Sequence, residues 1–238
     1  LNLIDRKTDG KSLQKIIDLW ILKHSKYKRN IWESSILSKR IISWILNVDI
    51  ILNNGLFEFK KKFLDSIISQ SNHLRKNIKF EKDYSKRIEI LTALLLSGLV
   101  FKEYISNYNI AIKELEKLVK DYFDQDGFPL TRNPSDLIFF SKYLILCKEC
   151  IKDAQQYVPE FLETIIDKNL ICIKNILTPN NQVPLFNGGT EEDLEQFNGF
   201  INDLEHQLKD KKNIIGGIQI FKFKNSSIFF DVGKPPNK

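Results

Sequence analysis

The sequence has no methionine, three cysteines and three histidines in 238 residues. Without methionine it carries no start residue, which points to a chain that begins inside a longer protein or after a removed leader; any signal peptide would lie upstream of Leu1. Three cysteines, Cys147, Cys150 and Cys172, exclude a disulfide framework. Cys147 and Cys150 form CxxC inside "FFSKYLILCKECIKDA", a helical pattern that aligns Cys147 with Phe140 and Leu144. No second CxxC or paired histidines complete a metal shell, so a core-facing thiol is favoured over a zinc or redox site, and no cofactor is expected. No apolar run reaches eighteen residues, and "ALLLSGLVF" at 93–101 is too short to span a bilayer.

Histidine scarcity limits acid–base chemistry. His73, in mid-helix within "SNHLRK", reads as a plain surface histidine. His24 and His206 sit in lysine-rich and acidic surroundings that mark neither for catalysis.

What is present is charge and helical periodicity. The net charge is +6, with a pI of about 9.0. Lysines are spread over the helices, as on a solvated surface, and the excess also suits a polyanionic partner. Arginine is sparse beside lysine, which argues against a nucleic-acid binder with a clustered basic face.

Helical stripes recur along the chain. Leu13, Ile16, Ile17, Trp20 and Ile21 form the first. Trp32, Ile36, Ile41, Trp44 and Ile45 form a second, in a helix running to the "NNG" stop at 53–55. Phe59, Phe63, Ile67, Leu74 and Ile78 form a third. "SKRIEILTALLLSGLVFKEYI" is apolar all round and reads as an inner helix. Ile110, Leu115, Leu118 and Phe123 mark the next. Two more helices follow, from Pro134 to about Ala154 and after Pro159, where proline is tolerated at a helix start. Trp20, Trp32 and Trp44 fall among aliphatic residues, so core packing is expected of them.

Two segments break the helical run. "DGFPLTRNPSDL" at 126–137 is long for a turn. "TPNNQVPLFNGGTEEDLEQFNGF" at 178–200 reads as a loop with one short helix near 190–197. Beyond residue 211 the pattern alternates, and Ile218, Ile220, "NSS" and "IFFDV" predict a β-hairpin. The expected class is all-α, with antiparallel helix pairs wrapping as an α/α solenoid or toroid over 1–210 and the first strands of a β-rich domain over 211–238.

Four segments in order, "WESSILSKRIISWI", "DGFPLTRNPSDLIFFSKYLILCKE", "PLFNGGTEEDLEQF" and "IQIFKFKNSSIFFDVGKPP", resemble the heparinase II/III-like polysaccharide lyases, and within them a poorly characterised bacterial branch. The resemblance implies an incomplete α/α toroid leading into an antiparallel β-sandwich, and β-elimination on a uronate-containing polysaccharide. It also implies a periplasmic or cell-envelope setting, with the cytoplasm as the other choice. The matching positions are Asp126, Gly127, Arg132, Asn133, Pro134, Phe186, Asn187 and Gly188. The family's histidine and tyrosine fall at Pro129 and Asp136, and its Asn-His pair falls near Ser85 and Lys86. The resemblance thus leaves the catalytic residues unassigned, with this chain alone expected to be inactive.

The expected substrate-binding set is Arg132, Asn133, Asp126, Asn187 and Arg87. Arg132 and Asn133 suit a uronate carboxylate, by a guanidinium fork and an amide. Asn133 equally suits the N-cap of the helix at Pro134, and the two uses coexist. Asp126 before Gly127 suits an Asx-type turn. Phe186, Asn187 and the glycines suit a turn or a loop over sugar. A non-catalytic carbohydrate-binding or scaffold protein on the same fold is the other function class.

Overall fold

The structure is a computed structural model and describes residues 10–53, 55–192, 194 and 213–233. The chain forms two compact units, Leu1–Leu115 and Glu116–Lys238, and the division falls within one helix. The change from helical to strand pattern lies inside the second unit.

In the first unit, α1 (Gly10–His24) turns Ile17 and Ile21 inward but leaves Ile16 64% exposed. The second stripe is divided. A helix from Ser34 to Leu46 (α2) stops at Asn47, and a short helix from Val48 to Leu52 (α3) follows. Asn47 donates its side-chain amide to the Ser43 carbonyl, and its backbone N–H bonds within the same turn. This satisfies carbonyls at the end of α2 locally. The register also differs from the expected stripe: Leu37 is fully buried, while Ile36 is 47% exposed.

Glu33 caps α2 by accepting from the Ser35 and Ile36 N–H groups. The third stripe becomes α4 (Phe57–Asn77), whose Phe63, Ile67 and Leu74 are buried. α5 (Tyr84–Val100), capped by Asp83, is buried along Ile88–Gly98, as an inner helix should be. It packs on α2 and α4.

His73 is not the plain surface histidine expected from its charged neighbours. Its ring lies 5.5 Å from Tyr27 and 5.3 Å from Trp32, and burial followed by Lys76 lowers its pKa. Trp32 and Trp44 are core residues, and Trp20 meets Trp44 edge-on at 5.4 Å.

The helix α6 (Ile105–Tyr122) carries the chain across the division. In the second unit, α7 (Pro134–Asp153) and α8 (Glu160–Ile176) pack together. Leu137, Phe140, Leu144 and Cys147 line one face of α7, and Leu162, Ile166, Leu170 and Ile173 line one of α8; all eight are buried.

The predicted hairpin is present as β2 (Ile218–Lys222) and β3 (Ser227–Asp231). A further strand, β1 (Ile214–Ile215), precedes it, giving an antiparallel sheet in the order β1-β2-β3. Gly216 and Gly217 join β1 to β2 with φ of 60° and 76°. Positive φ at both central residues is what a tight hairpin turn demands. Ile215, Ile218 and Ile220 face inward, while Phe221, Ile228 and Phe230 are about half exposed on the other face. Of the short helix expected near 190–197, residues 190–192 and 194 are not helical, and the other four lie outside the described residues.

Candidate functional site

The segment between α6 and α7 is a tight loop built on a carboxylate. Asp124 Oδ1 accepts from the Asp126 N–H at 2.9 Å and the Phe128 N–H at 2.8 Å, and the Gly127 N–H reaches the Asp124 carbonyl at 3.1 Å. The Asx-type turn expected of Asp126 is therefore made by Asp124. Burial raises the Asp124 pKa, partly offset by the Phe128 N–H. Asp126 contributes its backbone, accepting from Cys172 Sγ at 3.3 Å.

Gly127 has φ of 85°, and a Cβ there would lie 2.5 Å from Lys168 Cβ. Its carbonyl accepts from Asn169 Nδ2 at 2.6 Å, tying the loop to α8. Phe123 and Pro129 pair across the loop as an isolated antiparallel bridge, so the position where the resemblance has histidine is a buried structural proline.

The loop ends on α7. Asn133 is the N-cap: its Oδ1 accepts from the Ser135 N–H at 2.8 Å, and Pro134 follows at the first helical position. Its Nδ2 donates to Asp136 Oδ1 at 3.4 Å. The other oxygen of Asp136 accepts from the Tyr122 hydroxyl at 2.8 Å and from Thr131 Oγ1 at 2.7 Å. Asp136, at the place of the resemblance's tyrosine, thus closes a polar network around the first turn of α7. The Tyr122 ring is buried and stacks on Phe140 at 4.2 Å.

Arg132 is the conformational outlier of the loop, with φ of 54°. A non-glycine residue in this region carries strain that surrounding contacts must hold. Two other segments supply them. Its Nε donates to Asp231 Oδ2 at 3.0 Å, at the end of β3. Its carbonyl accepts from Asn187 Nδ2 at 3.1 Å. Asn187 Nδ2 also donates to Asp231 Oδ2 at 3.1 Å.

Asp231 is an exposed residue, and what burial its carboxylate has would by itself raise its pKa. The hydrogen bonds from Asn187, Arg132 and the Gly233 N–H outweigh this and hold it below the usual carboxylate range. Asn187 itself has φ of 50° and Gly188 has 86°, so "NGG" makes a left-handed turn. The loop is fastened a second time where the Thr190 N–H donates to Ser135 Oγ at 2.7 Å. Phe186 packs 6.0 Å from Phe229, centroid to centroid.

Four of the five expected binding residues, Asp126, Arg132, Asn133 and Asn187, therefore lie in the second unit. Arg132, Asn187 and the start of α7 meet directly, whereas Asp126 faces α8 through its backbone. Arg87 belongs to the first unit, where it donates to Glu114 Oε2 at 2.9 Å and to the Glu81 carbonyl at 3.1 Å. Ser85 bonds the Asp83 cap through its backbone, and Lys86 pairs with Glu33 at 2.9 Å.

Sequence reasoning did not single out Asp124, Asp231 or Tyr122. For Asp231 a signal existed, because it lies in "IFFDVGKPP", the end of the fourth segment that carries the resemblance. Asp124 and Tyr122 had none, since each acts through contacts that only the folded loop creates. Among the described residues no group of three or more His, Cys, Asp or Glu side chains is placed to hold a metal, and no helix is long and apolar enough to cross a membrane.

No protein-family model matches the chain, and no curated protein does. Solved structures share its fold. The heparan sulfate lyase HepC from Pedobacter heparinus superposes with a TM-score of 0.70 at 16% identity, covering 94% of this chain and 40% of that one. A heparinase III gives 0.71 at 16% identity, covering 89% and 41%. A mutant of HepC from P. heparinus gives 0.71 at 16% identity, covering 92% and 40%. The chain spans about 40% of the length of the lyases it matches. The likeness is one of fold: helices followed by antiparallel strands, the α/α-toroid class that the resemblance implies and one of the two that the helical pattern allows.

Proposed function

We propose that this chain is the helical portion of a polysaccharide lyase that cleaves an acidic, uronate-containing polysaccharide by β-elimination. The fold shared over about nine-tenths of the chain with enzymes named for heparan sulfate carries this reading. Acidic sugar also gives the +6 charge a use.

The chemistry sets the roles. The proton beside a uronate carboxylate becomes acidic only when donors offset charge on that carboxylate as the enolate-like state develops. Arg132 and Asn133 are the donors best suited to this, and Asn187, whose amide is given to the Arg132 carbonyl and to Asp231, holds the loop beside them. Asp231 fixes the Arg132 side chain, and the Arg132–Asn187 bond fixes the loop, so their donors are pre-positioned. Asp126 is proposed as a contact further along the polymer within the second unit; Arg87, in the first unit and bonded to Glu114 and the Glu81 carbonyl, is proposed separately as a polymer contact of that unit.

A base must then remove the proton and an acid must protonate the leaving oxygen. In the described part of the second unit the Tyr122 hydroxyl is committed to Asp136, and no histidine accompanies it. On this reading the chain alone binds polymer without cleaving it. The commitment of Arg132 to Asp231 and of Tyr122 to Asp136 also favours a second reading, a non-catalytic carbohydrate-binding protein on the same fold.

The test is to incubate the chain, and any longer protein containing it, with alginate, heparan sulfate and related polymers while following the ultraviolet absorbance of unsaturated ends. A rise with the longer protein supports the lyase. Saturable binding with no rise for either supports the second reading, and neither binding nor a rise sinks both. The periplasm or cell envelope is the compartment this function calls for, checked by fractionation of cells expressing the natural protein.

A further inference from the structure

A groove of about 250 Å³ opens among α1, α2 and α3, wholly within the first unit. Leu13, Ile17 and Ile51 make its aliphatic wall, Trp20 and Trp44 its aromatic side, and Arg40 is the one charged residue among its described lining residues. The Arg40 guanidinium lies 4.0 Å over the Trp20 ring. It donates to Gln70 Oε1 at 2.8 Å and to the Ile31 carbonyl at 3.1 Å, both neutral acceptors. No carboxylate among the described residues pairs with it. Burial lowers its pKa to about 10, so it remains a cation at neutral pH.

A half-buried guanidinium normally has an anionic partner, because neutral acceptors offset only part of the desolvation cost. Two of its five N–H donors are used by Gln70 and Ile31, and a planar carboxylate is the anion that matches the geometry of the rest. The single cation calls for a monoanion. The body of the ligand follows from the walls. They are aliphatic, and the Trp20 face that a sugar ring would stack on is covered by Arg40. Trp44 is likewise packed, against Trp20 and against Phe63 at 5.3 Å.

We propose that this groove binds a small amphiphilic carboxylate, with its apolar body along Leu13, Ile17 and Ile51 and its carboxylate on Arg40. The site is independent of the carbohydrate reading above, since it uses other residues and another ligand chemistry.

Two of the chain's three tryptophans line the groove, so intrinsic fluorescence reports on it directly. The probe is octanoate, with octanol as the same body without charge and glucuronate as the same charge without the body. Octanoate is expected to give a saturable change, octanol a much weaker one and glucuronate none. Arg40→Gln should weaken octanoate about tenfold, the scale of a hydrogen bond to a charged group. Because Arg40→Gln also removes the brace to Gln70 and Ile31 and so puts folding at risk, Ile16→Glu is the second variant. Ile16 lines the groove yet is 64% exposed, so the change places a like charge at the site without touching the core, and it should abolish the octanoate response. The proposal is overturned by no saturable response to octanoate, by equal responses to octanol and octanoate, by saturable glucuronate binding in its place, or by unchanged octanoate binding in folded Ile16→Glu protein.

Discussion

Arg132 and Asp231, ninety-nine residues apart in sequence, meet at 3.0 Å, and Asn187 donates to the same carboxylate oxygen. The contact joins the loop before α7, the "NGG" turn and the end of β3. The Arg132 side chain is 17% exposed and that of Asp231 34%, so the pair is more sheltered than a surface ion pair. A double-mutant cycle with Arg132→Ala and Asp231→Ala should give a coupling of about 1 kcal/mol in urea unfolding, the upper end for partly exposed pairs. A coupling near zero would show that the strain at Arg132, with its φ of 54°, is held without the Asp231 pair, by contacts such as the Asn187 bond to its carbonyl.

The depressed pKa of Asp231 makes this joint sensitive to acid. A carboxyl whose folded pKa lies below its unfolded value contributes stability that is fully present above the unfolded value, about 3.9 for aspartate, and is lost as pH falls through the folded value. Urea midpoints measured from neutral pH down through that window should fall in the natural chain. Asp231→Asn should start less stable at neutral pH and lose less on acidification. Parallel curves would remove Asp231 as the source.

Asn133 separates the cap from the sugar contact. Its Oδ1 accepts from the Ser135 N–H, so Asn133→Ala should cost about 1 kcal/mol, while Asn133→Ser, another good cap, should restore most of it. Neither serine nor alanine has the amide donor proposed for a uronate. If Asn133 serves both roles, Asn133→Ser recovers thermal stability but not polymer affinity. Recovery of both would confine Asn133 to capping.

The helices and the hairpin were legible because their signals are local. The 3.6-residue stripe of α4 and the alternation of β2 each survive in a single segment of sequence. The break at Asn47 was hidden because the apolar stripe continues through it, and the switch from Ile36 to Leu37 reflects packing against α5 that a stripe alone does not specify. β1 was missed although "IIGGIQI" carries a two-glycine turn. A two-residue strand is too short to show alternation. In the candidate site, the Asn133 cap was legible because its signal, asparagine before proline, is local. The Arg132–Asp231–Asn187 joint was not, because it draws on three distant segments. Asp124 lost out to Asp126 because both precede Gly127, and only the folded loop shows which carboxylate faces the N–H groups.

The CxxC segment gives a prediction about chemistry the protein should not do. Burial pushes the Cys150 thiol up to about 11, with Asp153 and Glu149 adding to the shift, and Cys147 and Cys172 are buried. The thiolate is the reactive form, so labelling by a thiol reagent near neutral pH should be slow in the folded chain and rapid for all three thiols in denaturant. One equivalent of tightly bound zinc would contradict the core reading of Cys147.

Gly216 tests how the sheet is seated within the second unit. Its φ is 60°, and a Cβ there would lie 2.6 Å from both Cβ and Cγ of Phe128, which is itself fully buried. Gly216→Ala combines a left-handed backbone with a clash against a side chain that has no room to move. A loss of about 2 kcal/mol or more is expected. Trimming the ring with Phe128→Leu leaves Cβ and Cγ in place, so it should relieve little of the Gly216→Ala cost while adding a cavity cost of its own. Near-additive losses in the double variant, read by urea unfolding, are the expected outcome. Strong rescue would mean that the outer ring atoms, and not the Cβ–Cγ stem, set the close approach of Gly216 to the loop.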